Sequence, residues 1–262
     1  MEIIDAHAHI YPEKIARRAS LAVGEFYHLA MRFDGTVQTL LRLGDEHGVQ
    51  RFLVHSVATI PEQVEKINSF IASECRAHPS RLIGFAALHP DTKNPADELE
   101  RARGMGLKGV KLHPDFQKFD ISDPRMDDAY AAMAEMGLPV LIHMGDPRYD
   151  WSSPKHVPVI LKRHPRLRVI CAHFGGYTRW DEAAECLKGE GVWIDTSSSL
   201  FMLAPERAKR YISLYGEDHV LFGSDYPMWN VGDEIRSVQS LGLSEETNRK
   251  IFSENLKALL SL

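Results

Sequence analysis

A (β/α)8 barrel is the fold this sequence predicts, and three observations predict it. The chain has 262 residues and is 44% hydrophobic, a size and core content that α/β barrels reach as a single unit, here residues 1–262. Short apolar runs alternate with longer amphipathic ones from end to end. Eight of each are found, and that alternation builds a parallel sheet wrapped by helices.

The strands are read at IIDAHAHI (3–10), RFLVHSVA (51–58), LIGFAAL (82–88), GVKLH (109–113), PVLIHMG (139–145), RVICAHFG (168–175), VWIDTSS (192–198) and VLFGSDY (220–226). Most are near-continuous in aliphatic residues, as expected of parallel strands buried on both faces. The helices follow at Thr36–Glu46, Pro61–Ala77, Pro95–Met105, Pro124–Met136, Pro154–Arg163, Thr178–Leu187, Pro205–Tyr215 and Glu245–Leu260. Proline opens many of them, where its missing N–H costs nothing. An open doubly wound sheet is the competing architecture, but no GxGxxG follows the first strand, which weakens its dinucleotide-binding version. Residues 11–35 read as a long loop after strand one, placed to act as a lid or specificity element. Residues 229–243 leave room for a short extra helix.

Charge and cysteine content narrow the function. The net charge is −5 with no Lys/Arg-rich block, which argues against nucleic acid and for a small-molecule partner. No apolar run approaches the ~18 residues of a membrane span, and the N-terminus lacks a secretory pattern. Cys75, Cys171 and Cys186 are odd in number and form no CxxC pair, so a cytoplasmic protein without disulfides is expected. A homo-oligomer is compatible with all of this.

Barrel catalysis sits at the C-terminal ends of the strands, and the polar residues fall there. His7 and His9 end strand one, and alternation points both to one side, with Cα atoms roughly 6–7 Å apart. Lys111 and His113 end strand four, His143 strand five, His173 strand six and Asp225 strand eight. So many ionisable groups at one rim are costly to leave unpaired, and a divalent cation would compensate them. Arg148, Tyr149 and Trp151, with Asp146, follow strand five as candidate pocket residues, Arg148 as a carboxylate clamp. The serine-rich DTSSS (195–199) could hydrogen-bond substrate, and Trp180 and Trp229 could line the mouth. Cys171 is expected on the same side as His173, two residues deeper.

From DAHAHIYP through GVKLHP, LIHMG and CAHFGG to LFGSDYP, the chain resembles the amidohydrolase superfamily and, within it, the amidohydrolase-2 group. The resemblance implies a metal-dependent barrel enzyme. It makes His7, His9, His143 and Asp225 the metal ligands, Asp225 and His173 the catalytic pair, and zinc the expected ion. One ion is favoured over two, with Lys111, His113 and His173 left for a second ion or for substrate. Hydrolysis of a small carboxylate-bearing ester, lactone or amide by metal-bound hydroxide is the first expectation. The reasons are that hydrolysis is the superfamily's commonest chemistry and that this barrel is compact. A decarboxylase using the same site is the alternative, and a non-catalytic barrel a third.

Overall fold

The computed structural model describes residues 1–262 and contains the expected barrel. Its strands are β1 (Ile4–His9), β2 (Arg51–His55), β3 (Leu82–Gly84), β4 (Ala86–Ala87), β5 (Val110–Leu112), β6 (Val140–Ile142), β7 (Val169–Cys171), β8 (Trp193–Asp195) and β9 (Val220–Leu221). All pair parallel, in the orders β1-β2-β3 and β4 through β9. β3 and β4 together are the third stave, read from the sequence as the single run LIGFAAL. The break falls at Phe85, whose ring turns into the barrel floor against Gly109; a Cβ there would lie 2.5 Å from Phe85 Cζ.

Closure comes from β1 meeting the end of the last stave: Ala6 N donates to Phe222 O at 2.7 Å, His9 N to Tyr226 O at 2.7 Å and Asp225 N to His7 O at 2.8 Å. Inside the barrel, Ile4, Ala6, Leu53, Ile83, Phe85, Leu141, Ile170, Ala172 and Leu221 pack together. The larger apolar cluster lies between staves and helices and takes in Cys171. Cys171 therefore packs outside the stave, opposite to the sequence expectation. The cause is backbone: His173 and Phe174 both adopt left-handed conformations (φ 60° and 52°), which breaks the strand alternation at the point where the catalytic rim begins.

The helices largely follow the sequence. Thr36 caps α2 (Val37–His47) by accepting from Thr39 N. The expected extra helix is present as Val231–Gln239, and the C-terminal helix carries a π-helical segment, Lys250–Glu254, between Glu245–Arg249 and Asn255–Leu260. The main departure is the segment 11–35. It is no simple loop but contains α1 (Glu13–Tyr27), which ends in the left-handed His28 and reaches over the barrel mouth. No helix is long and apolar enough to cross a membrane.

Candidate metal centre

β1 does not alternate cleanly. Its register against β2 slips by one between Asp5 and Ala8, so a bulge lies at Ala6–His7. This lets Ala6 fill the barrel floor while His7 and His9 both serve the rim, a re-aiming that bulges commonly perform. Asp5, wholly buried, fixes the bulge by accepting from His7 N at 2.9 Å and Ser224 N at 3.0 Å. Burial pushes its carboxyl up to about 7. Gly223 completes the fit, since a Cβ there would stand 2.9 Å from His7 Cβ.

His7 and His9 converge on Asp225. Asp225 Oδ1 lies 3.5 Å from His7 Nε2 and 3.4 Å from His9 Nε2. Two ligands held about 2.1 Å from one ion at a tetrahedral angle are about 3.4 Å apart, so this donor spacing fits a shared divalent cation. His7 is also in the correct tautomer. Its Nδ1–H donates to Asp195 Oδ2 at 2.8 Å, which leaves the Nε2 lone pair facing Asp225. A carboxylate behind a ligating imidazole is the usual support in metal sites. Sequence reasoning missed Asp195, which it had read only as part of a serine-rich loop; the signal was its place at the end of the seventh stave.

Electrostatics agree with ligand roles. Burial, followed by the nearby charge of Lys111, pushes His7 down to about 4, and burial likewise lowers His9 and His173. All three are neutral near pH 7 and keep a lone pair. For Asp225 burial acts upward, but His7, His9 and His173 outweigh it and hold the carboxyl well below its usual range. Lys111 Nζ is 3.2 Å from His7 Nε2, and burial pulls its amine down to about 8.

The other expected residues form a second constellation beside the first. His113 Nδ1 accepts from Phe116 N at 3.4 Å, so its proton sits on Nε2, which meets Tyr27 Oη at 2.9 Å. Tyr27 in turn contacts His143 Nε2 at 3.2 Å. His143 Nδ1 is 2.9 Å from His173 Nε2, and His173 Nδ1 is 2.9 Å from Ser197 Oγ, which donates to Asp195 Oδ1. The backbone N–H at one end and the carboxylate at the other fix every donor in one direction, giving a hydrogen-bonded chain from His113 to Asp195. His143, expected beside His7 and His9, is thus engaged with His173 and Tyr27. Tyr27, on α1, was not singled out in the sequence.

His9, Tyr11, Tyr27, His113, Phe116, His143, His173, Tyr177, Ser198 and Asp225 line the pocket, with Val23, Leu29, Met31, Pro227 and Met228 as its apolar wall. Arg148, Tyr149 and Trp151 are not among these residues. The Arg148 guanidinium grips Asp146, donates to Phe26 O at 2.6 Å and lies 4.3 Å over the Phe26 ring, so it pins the end of α1. Trp180 Nε1 donates to His173 O at 3.0 Å, and Trp229 Nε1 to Ser198 Oγ at 2.8 Å. Ser198 passes the contact on to Asp225 Oδ2 at 2.6 Å.

Comparison with known proteins agrees with the barrel fold. The model of the Amidohydrolase family (Amidohydro_2) matches residues 4–262. The chain belongs to that family. Among similar proteins, the gamma-resorcylate decarboxylase of a Rhizobium species is 23% identical, aligned over 96% of this chain and 95% of the relative. The barrel of 5-carboxyvanillate decarboxylase from Sphingomonas paucimobilis superposes with a TM-score of 0.78 at 17% identity, covering 100% and 99% of the two chains. A dihydroxybenzoic acid decarboxylase from a Polaromonas species, with bound manganese and the inhibitor 2-nitroresorcinol, gives 0.77 at 19% identity, covering 100% and 97%. These relatives are named decarboxylases, and they overturn the hydrolase expected from the sequence. The alignment runs to 311 positions against the 262 residues of this chain, so the Rhizobium enzyme carries insertions that this barrel lacks.

Proposed function

We propose that this amidohydrolase-family protein is a metal-dependent decarboxylase of small aromatic carboxylates. The observation that carries the reading is the convergence of His7, His9 and Asp225 at the base of a pocket walled by aromatic and aliphatic side chains. The relatives named above support it from outside. Two imidazoles and a carboxylate suit zinc, the ion expected from the sequence, and equally the manganese of the Polaromonas neighbour. One ion is proposed, held by His7 and His9, whose Nε2 atoms lie 3.5 and 3.4 Å from a shared Asp225 oxygen. The three cysteines are unpaired, in keeping with a cytoplasmic setting.

When bound, the ion would supply positive charge that holds substrate oxygens and stabilises negative charge built up as the C–C bond breaks. The net reaction takes one proton: the ring carbon gains it, the bond to the carboxylate breaks, CO₂ leaves and the bonding electrons restore the ring. The residues here divide that work. Val23, Leu29, Met31 and Met228 exclude water from the ring and carboxylate, which favours loss of the charged group as neutral CO₂. Phe116, Tyr11 and Tyr177 present aromatic surface to a flat substrate. His113, whose Nε2–H meets Tyr27 Oη, holds that phenol at the pocket wall beside the substrate. Asp225 and His173, the catalytic pair, hold and deliver the proton at the pocket wall, with the donors of Tyr27 and His143 directed toward His173 and able to resupply it.

The test is CO₂ release, followed by gas detection, from a panel of hydroxylated benzoates run beside esters, lactones and amides. Metal-dependent CO₂ formation from at least one benzoate is expected, lost on Asp225→Asn. Turnover confined to the esters, lactones or amides would contradict the proposal.

A further inference from the structure

α1 carries an apolar stripe besides the faces turned to the barrel and to the catalytic pocket. Ala16, Ser20 and Gly24 are buried on the body of the protein, while Val23 and Tyr27 line the pocket. Ile15, Ala19, Ala22 and Phe26 follow at intervals of four, three and four residues, which sets them in one row along the helix. That row lines a groove together with Ile67 and Phe70 of α3 (Val64–Ala77). No side chain fills the space between them, and Ile15 is left 41% exposed. The groove adjoins the catalytic pocket, since Tyr11, Val23 and Phe116 line both, but it contains none of His7, His9 and Asp225.

The groove is also basic. Lys14 on α1, Lys66 on α3 and Lys118, just after the helical turn Pro114–Gln117, all line it. The lysines held in ion pairs are Lys155, Lys209, Lys250 and Lys257, so these three charges are unpaired. The one carboxylate on the groove, Asp115, is buried and accepts from Ser152 Oγ at 2.7 Å. Three unpaired cations beside an apolar cleft, in a chain of net charge −5, are complementary to an anion with an apolar body. We propose that this groove is a second binding site, separate from the metal centre, for a small amphipathic carboxylate. The hydrocarbon lies between α1 and α3, and the carboxylate among Lys14, Lys66 and Lys118. The ligand rests on the helix that carries Tyr27, so occupancy steadies α1 over the catalytic pocket.

The probe is 2-naphthoate, with neutral 2-naphthamide as its control, each titrated calorimetrically into the full-length protein. The carboxylate is expected to bind more tightly than the amide and to weaken as salt rises. Combining Lys14→Ala, Lys66→Ala and Lys118→Ala should weaken naphthoate about tenfold and leave naphthamide unchanged. Ala22 is exposed and lines the groove, so Ala22→Trp should fill it and remove binding of both compounds, with circular dichroism as in wild type. Hydrogen exchange should fall across residues 13–27 and 64–77 when naphthoate is added. Equal naphthoate affinity in wild type, the triple lysine variant and Ala22→Trp would seat the probe elsewhere and overturn the site, as would no binding to wild type. A wild-type dimer in light scattering that Ala22→Trp converts to monomer and naphthoate leaves intact would overturn it too, by giving the groove to a second copy. These readouts are independent of CO₂ release, so the groove and the proposed reaction stand or fall separately.

Discussion

Asp195 Oδ2 and His7 Nδ1 lie 2.8 Å apart, both side chains wholly buried and separated by 188 residues of chain. This contact decides which nitrogen of His7 faces Asp225. Asp195→Asn loses the charge that holds the Nδ1–H tautomer and can present an amide N–H in its place. Metal affinity is expected to fall about 10–100-fold with the barrel still folded. Metal titration alongside circular dichroism checks this, and unchanged affinity would count against an orienting role.

Arg148 is expected to act on the cover of the site and not on its chemistry. It joins buried Asp146 to the carbonyl of Phe26 and stacks on that ring. Arg148→Ala should destabilise this region by about 1–3 kcal/mol, since it leaves a buried carboxylate short of its partner. Hydrogen exchange across residues 13–27 should rise. Arg148→Lys should restore little, because an ammonium lacks the planar two-pronged geometry. Exchange in α1 equal to wild type would show that the clamp carries no weight.

Glu234 predicts a pH effect on stability. Burial, then the charges of Asp225, Asp5 and Asp233, pushes its carboxyl from 4.5 up to about 8. The folded protein thus keeps this proton to about pH 8, while the unfolded chain releases it near 4.5. The associated stability is full below pH 4.5 and is lost as pH rises through 8. Glu234→Gln removes the ionisation. It should match wild type near pH 4.5 and exceed it by on the order of a few kcal/mol at pH 9, at about 1.4 kcal/mol per pKa unit. Thermal melts of both proteins across that range measure the difference; parallel curves would refute it.

Much of this was legible in the sequence because buried parallel strands must be apolar along their length, so His7, His9, His173 and Asp225 stood out at the ends of apolar runs. The groups that escaped reading depend on relations that one-dimensional pattern does not carry. Asp195 gains its role from a partner across the closed barrel. Tyr27 reaches the site only because α1 folds back over the mouth. Cys171 was placed on the wrong face because strand alternation was carried through to His173, where the backbone turns left-handed.

The central claim is that one divalent ion sits among His7, His9 and Asp225. An anomalous difference map, from a metal-loaded crystal measured at the absorption edge of the ion, tests it most directly. The account predicts one peak about 2.0–2.2 Å from His7 Nε2, His9 Nε2 and a carboxylate oxygen of Asp225. A peak seated instead among His113, Asp115 and His143, or no peak at the rim of a fully loaded crystal, would contradict it.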